Sequence, residues 1–469
     1  MTKRGPTTLI IAIGVVVVVC AVGMLLWRAQ GPALIEASYE GGGLWPLNDL
    51  LAHRREQRPE EFTLDRALGL VRAGMVGIAM LGGLAIVGIL LAAQRHALVG
   101  ALGSFSRESS SPVSLAVVRI VVFGLVLNFA LKHQVRIEFM AGLPENLIVP
   151  PFGLGPVLEI VPISPGLASA AVTVTIVACI AGIIGLCARV AALVACIAAV
   201  YAFGIPHLFG KVDHHHHLVW FLGVLAASPC ADVLSIDAII RALRRGPKGE
   251  IAPPGPSPAY GQPLRLIWVL IGIIYFFPGM WKLVMTGPEW ITGDAMQHVL
   301  WRRWHDKQEI GPRIDQWPLL YRAMGAGAIA FEIGFLWMIL FRRTRWIAVP
   351  IGFGFHLGTR FIMGIKFTTL LWSYSAFVAW DRVFDWVGRV LFRDSMIVAF
   401  DGGCGLCRRT AAVIGTIDIL RRIEFVPVGD ERVVTHAALS KVPEDRGGAP
   451  AEPTAAVECD DHRIAEEHP

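Results

Sequence analysis

The chain has 469 residues, 54% of them hydrophobic and 17% charged, a balance too apolar for a soluble protein of this size. Its formal net charge of +5 comes without a long basic run, which argues against a nucleic-acid partner. The eight cysteines imply no disulfide framework: Cys20, Cys179, Cys187, Cys196 and Cys230 fall in or beside apolar stretches, where a free thiol behaves as a small hydrophobe.

A hydrocarbon core of about 30 Å takes about 20 apolar residues per helix. Ten such stretches are predicted, at 8–27, 70–93, 113–131, 166–187, 190–207, 217–240, 264–285, 322–341, 346–364 and 367–391. The expected fold is a polytopic α-helical membrane protein of about ten transmembrane helices with a small C-terminal α/β domain. The first stretch follows Met1, Lys3 and Arg4, and its apolar core reaches Trp27 without a small-residue cleavage pattern, so a retained helix is expected there rather than a secretory signal. Arg241, Arg244, Arg245 and Lys248 cluster after the sixth stretch, and Arg342, Arg343 and Arg345 after the eighth. Positive charge marks the cytoplasmic side, so the expected location is the cell (inner) membrane with the N-terminus and the C-terminal domain in the cytoplasm. The proline- and glycine-rich GPKGEIAPPGPSPAYGQ at 246–262 predicts a mobile connection between two groups of helices.

Ionisable groups are costly in lipid and point to function. Asp213 and the run His214, His215, His216 and His217 open the sixth stretch. The run reads as an expression tag or as histidines able to chelate, but no carboxylate or cysteine partner is fixed by spacing and no metal is expected. Lys282 closes the seventh stretch in YFFPGMWKL, beside Tyr275 and Trp281. Its amine either snorkels to the interface or is desolvated among aromatic rings and available as a base. Glu332 lies midway along the eighth stretch, and His356 with Arg360 in the ninth; Glu332 either pairs with Arg360 or lines a functional pocket. With ten spans, His214 and Lys282 come to the same outer face.

The region from about 113 to 390 resembles the HTTM family, the membrane domain shared with vitamin K-dependent gamma-glutamyl carboxylase. The resemblance rests on PVSLAVVRIVVFGLVL at 112–127, DHHHHLVWFLGVLAASPCADVLSID at 213–237, YFFPGMWKL followed by PEWITGDAM within 275–296, FEIGF around Glu332 and GFHLGTRFIMGIKF around His356. It implies that Lys282 takes a proton from reduced vitamin K or another quinol so that oxygen can attack. The strong base so formed takes a γ-hydrogen from glutamate, and the carbanion captures carbon dioxide. It also implies that His214, or His215 one place on, is the active-site histidine, with Glu332, His356, Arg360, Tyr275 and Trp281 around the pocket. The long luminal region that docks the propeptide in the carboxylase is not in this sequence. Oxygenation of a quinol can survive this departure even where carboxylation of a peptide or protein glutamate, the other reaction the resemblance implies, does not.

After Phe392 the pattern becomes that of a small soluble unit. MIVAF at 396–400 predicts a buried strand, 404–421 a helix and IEFVPV at 423–428 a second strand, a βαβ start. FDGGCGLC places Cys404 and Cys407 at the strand-to-helix turn, where the positive end of the helix favours the thiolate and Arg408 and Arg409 add charge. Such a site is either redox or half of a zinc site that no second C-x-x-C completes. Asp401, Gly402, Cys404 and Cys407 resemble the DCC family of thiol-disulfide oxidoreductases, which implies a thioredoxin-like domain with a thiol redox partner. TAAVECDDHRIA at 454–465 predicts a hairpin, and Pro453 sits where such folds carry a cis-proline. The expected organisation is thus two extra N-terminal helices and a loop at 1–112, a carboxylase-like domain at 113–392 and a short thiol domain at 393–469. Three functions compete: a quinol-linked membrane enzyme, a thiol-disulfide oxidoreductase anchored by a quinone-binding or scaffold membrane domain, and a transporter, whose inverted repeats are not detected. All three sit among membrane lipid.

Overall fold

The computed structural model describes residues 6–428 except 44–46, 49–50, 53–54, 56–61, 94, 149–157, 159, 211–214, 245–251, 287–288, 293–294, 308–312 and 393–394. In chain order the helices are α1 (Pro6–Tyr39), α2 (Leu64–Ala93), α3 (Arg95–Arg107), α4 (Pro112–Ala141), α5 (Pro165–Ile184), α6 (Ala188–Gly204), α7 (His216–Ala226) and α8 (Ile236–Arg244). They continue as α9 (Pro258–Thr286), α10 (Glu289–Thr292), α11 (Ala295–Lys307), α12 (Pro318–Leu340), α13 (Arg342–Ile362), α14 (Thr368–Ser373) and α15 (Trp380–Leu391). Strand β1 (Met396–Phe400), helix α16 (Gly405–Ile417) and strand β2 (Ile423–Pro427) follow.

Six described helices are long and apolar enough to cross a membrane: Ile11–Tyr39, Pro112–Ala141, Pro165–Ile184, Ala188–Phe209, Pro258–Leu283 and Pro318–Leu340. The chain is a polytopic helical membrane protein, and helices are the elements that satisfy every backbone group within one segment in lipid. Their ends are written in the sequence. Ser111 and Ser164 cap α4 and α5 through their hydroxyl oxygens, each followed by a proline at the first helical position, where the missing N–H costs nothing. Gly185, at a φ of 74°, ends α5 as only glycine does without strain.

Two expected spans are broken. The stretch at 217–240 is helical only to Ala226, 11 residues that rise about 16 Å, half of a hydrocarbon core. It then turns through Ser228 and Pro229 and resumes at Ile236. The stretch at 367–391 divides into α14, a tight turn at Tyr374–Phe377 and α15. Asp381, Arg382, Asp385 and Arg389 make α15 amphipathic, a helix with one wet face rather than a span. The other two expected spans are continuous helix: 70–93 lies within α2, and α13 covers most of 346–364, opening on Arg342, Arg343 and Arg345.

The chain divides into two compact units, one of residues 1–106 and 268–367, the other of 107–267 and 368–469. In the first, α1 packs along α2, with Trp27 Nε1 donating to the Val71 carbonyl at 2.8 Å and the Tyr39 hydroxyl to that of Phe62 at 3.1 Å. Helix α12 packs on α13 and on the short helices α10 and α11.

In the second unit α4 packs against α5 and α7 and carries Arg119, fully buried within a membrane helix. Its guanidinium donates to the carbonyls of Cys230 at 2.9 Å and Leu234 at 2.5 Å, with that of Ile183 at 3.5 Å. It thereby satisfies the non-helical backbone between α7 and α8, which lipid would not. Ser235 Oγ accepts from the Ala238 N–H and caps α8. Asp237 accepts from the Cys187 and Ala188 N–H groups at 2.8 and 2.9 Å and so caps α6.

Ser257 pairs antiparallel with Ser110 through two backbone hydrogen bonds of 3.1 Å, and α9 begins on Pro258. The 246–262 stretch is therefore fastened at this end, in contrast to the mobile connection expected from its prolines.

β1 and β2 pair in parallel, Met396 opposite Ile423 through Phe400 opposite Pro427. The βαβ order stands as expected, with α16 ending at Ile417 instead of 421. There the Asp418 carboxylate accepts from the N–H groups of Arg422 and Ile423, and Arg421 takes a φ of 55°. β1 is buried only at Phe400, less than its all-apolar sequence predicts. Ile419 packs against the buried cluster of Val113, Ala116 and Val233, as does Trp380. The later part of the expected thioredoxin-like domain, Pro453 and the 454–465 hairpin included, lies outside the described residues.

Candidate functional site

Gly272, Tyr275, Gly279 and Lys282 recur along α9 at intervals of three and four, so they share one face. Two of them are glycines because α12 comes too close for side chains. A β-carbon at Gly279 would stand 2.8 Å from Glu332 Cβ, and one at Gly272 would stand 3.0 Å from Leu336 Cα. Small residues on one face let membrane helices approach in this way. Gly279→Leu is expected to force α9 off α12, costing about 1–3 kcal/mol and separating Lys282 from Glu332. Thermal unfolding in lipid checks this, and an unchanged midpoint would show that the helices yield freely.

The close approach brings Lys282 Nζ to Glu332 Oε1 at 2.5 Å, with the lysine side chain 25% exposed and that of the glutamate 8%. The ammonium also lies 5.0 Å from the Trp290 ring centroid, within cation–π range. Gly325 on α12 admits the Trp290 carbonyl, which a β-carbon there would meet at 2.6 Å. Glu332 Oε2 and Trp290 Nε1 are both buried without a hydrogen-bond partner among the described residues.

Two turns back along α9, the Tyr275 hydroxyl is hydrogen-bonded to His356 Nε2 from α13. Both residues are buried. Phe331 and Phe335 each lie 5.0 Å from the Tyr275 ring, and Phe367 5.5 Å from that of His356. The face therefore offers an ion pair, a phenol–imidazole pair and an aromatic lining, a combination suited to holding a ring and moving a proton.

Several expected site residues fall elsewhere. Arg360 is exposed and does not pair with Glu332, whose Oε1 is bonded to Lys282 instead. Trp281, 63% exposed, lies on another face of α9 from Lys282, since neighbouring helix positions are turned apart by the helical period. His214 lies outside the described residues. His215 belongs to the second compact unit, where its Nδ1 is 3.0 Å from Thr369 Oγ1 and its ring lies tilted against that of Phe129 with centroids 4.3 Å apart. Among the described residues no three His, Cys, Asp or Glu side chains are grouped to hold a metal.

At the C-x-x-C turn Cys404 stands at the N-cap of α16. Asp401 shapes the turn, its Oδ1 accepting from the Gly403 N–H at 2.7 Å and its carbonyl from that of Cys404 at 3.3 Å. Cys404 and Cys407 are both of intermediate burial. Outside the spans, Arg313 holds the buried Asp315 carboxyl below the usual range through a bidentate pair at 2.9 and 2.7 Å, tying down the turn that leads into α12.

Arg119 and Trp290 stand outside the expected site residues: the sequence signals Arg119 only as a lone arginine inside an apolar run, and nothing in it marks the unsatisfied indole of Trp290.

A search among curated proteins found no match, and neither did one among solved structures. A family model for the HTTM domain matches residues 108–379, more than half of the chain. That match takes in Arg119, the 228–237 turn, Lys282, Trp290, Glu332 and His356, and by it the chain belongs to the HTTM family, the family of vitamin K-dependent carboxylase membrane domains.

Proposed function

We propose that this chain is a quinol-linked membrane enzyme whose reaction centre is the Lys282–Glu332 pair. The observation that carries the reading is a half-buried lysine on a membrane helix, paired to a buried carboxylate that keeps one oxygen unused. Ion pairs placed in lipid-facing bundles are expensive and are kept where they act. As a unit, ammonium and carboxylate take up one proton from a ring hydroxyl of a reduced quinone, becoming ammonium and carboxylic acid. The positive charge of Lys282 then stands beside the ring oxyanion and stabilises it. Reaction with oxygen yields the epoxide and one water from the hydroquinone. In the carboxylase this oxygenation drives addition of carbon dioxide to glutamate, and a peptide or protein glutamate is the further substrate proposed here. Tyr275 and His356 line the same face and position the ring. The test is turnover by the full chain in lipid vesicles supplied with a naphthohydroquinone and oxygen. Epoxide formation above the protein-free rate is expected, and oxidation to quinone at the protein-free rate would overturn the reading.

A second activity, thiol–disulfide exchange at Cys404, is favoured by its place at the start of α16, where the positive end of the helix stabilises a thiolate. Alkylation at mildly acidic pH is expected to label Cys404 faster than the exposed Cys187. Equal or slower labelling would remove this reading.

A further inference from the structure

Two buried polar atoms at the site are left over, and they are of opposite kind. Glu332 is 6% exposed and has spent Oε1 on Lys282, which leaves Oε2 as an acceptor without a donor. Trp290 Nε1 is a donor without an acceptor among the described residues. Both border the same ammonium, one through a hydrogen bond and the other through its ring. Both are also held where they are by glycines that admit them closely, Gly279 for Glu332 and Gly325 for the Trp290 backbone. Buried polar groups are as a rule satisfied, and unsatisfied ones ask for a missing partner.

We infer that these two atoms form a ring-hydroxyl subsite that selects the reduced form of the substrate. A single ligand oxygen would give its hydrogen to Glu332 Oε2 and accept one from Trp290 Nε1, and a hydroxyl is the oxygen that does both. A quinone carbonyl has no hydrogen and would turn its lone pairs toward the carboxylate. The subsite therefore binds hydroquinone and rejects quinone and epoxide, so that the product leaves as its hydroxyl disappears. The inference rests on the quinol reading and adds Trp290 and the second oxygen of Glu332 as its specificity-determining groups.

The test uses the full chain in lipid nanodiscs under nitrogen, with four probes: a naphthohydroquinone, its dimethyl ether, the corresponding naphthoquinone and the parent methylnaphthalene. The wild-type protein is expected to bind the hydroquinone at least ~10-fold more tightly than the ether or the quinone, because a site built around a hydroxyl discriminates strongly against analogues lacking it. Trp290→Phe keeps a ring and loses the donor, so hydroquinone binding should weaken about 10-fold, the loss of one hydrogen bond, while methylnaphthalene binding stays as it was. Glu332→Gln offers an amide N–H to a carbonyl, and the hydroquinone-to-quinone ratio should fall towards one. Equal binding of quinone and hydroquinone by the wild type would overturn the inference even if neither variant folds. So would parallel losses for hydroquinone and methylnaphthalene in Trp290→Phe, which would mark a purely structural tryptophan. Binding of none of the four probes would instead remove the quinol reading itself.

Discussion

Replacing Lys282 with alanine is expected to lower hydroquinone turnover by about 10²–10⁴-fold, the range that a positioned proton-transfer group contributes. Two losses combine. The oxyanion forms without a neighbouring positive charge, and Glu332 loses its only described charge partner, so the pair no longer acts as a unit on the ring hydroxyl. Lys282→Arg separates charge from geometry. The guanidinium restores the positive charge but is a broad planar fork, and the α9 to α12 spacing set by Gly279 leaves little room for it. Partial turnover is therefore expected from arginine and close to none from alanine. Initial rates of epoxide formation in vesicles measure both. Wild-type rates in the alanine variant would reduce Lys282 and Glu332 to a structural ion pair.

The largest effect on stability is expected at Arg119. Arg119→Met retains most of the volume yet strands the carbonyls of Cys230 and Leu234, and a buried acceptor without a donor costs about 1–3 kcal/mol. Removing a desolvated cation returns part of that. The carbonyls outweigh it, because the turn between α7 and α8 has Leu234 at a φ of 52° and depends on the guanidinium to stay folded in an apolar setting. A net loss of about 2–4 kcal/mol follows from these competing effects. Arg119→Lys, with one point of donation in place of a fork, should recover less than half. Unfolding by a denaturing detergent, followed in lipid micelles, reads both variants. A methionine variant as stable as the wild type would show that the turn holds itself.

How far the sequence foretold the molecule can be traced residue by residue. The helices carrying 113–131, 166–187, 264–285 and 322–341 were legible because hydrophobic length is a direct signature of lipid. The breaks at 227–235 and 374–379 were not, since apolar composition continues across both while Pro229 and the tight turn at Tyr374–Phe377 interrupt the helices. Lys282 and Glu332 stood out singly as charges in apolar runs. Their pairing did not, because spacing along a chain says nothing about which face of α12 meets α9; Arg360 was an equally good partner until Gly279 showed where the helices touch. Asp401 was legible as part of the thiol motif, although its contacts are those of a turn-former. Asp237 is a similar case: at the end of the 213–237 segment it reads as part of the family resemblance, and in the structure it caps a helix fifty residues earlier.

That cap fixes a length. From Ala226 to Asp237 the backbone leaves one helix, presents two carbonyls to Arg119 and delivers a carboxylate to the first residues of α6. Adding or deleting a single residue between 227 and 235 would shift the carboxylate out of register with the N–H groups of Cys187 and Ala188 and turn at least one carbonyl away from the guanidinium. The segment should therefore tolerate exchange of its side chains far better than any change in its number of residues, the reverse of what is ordinarily true of a surface loop.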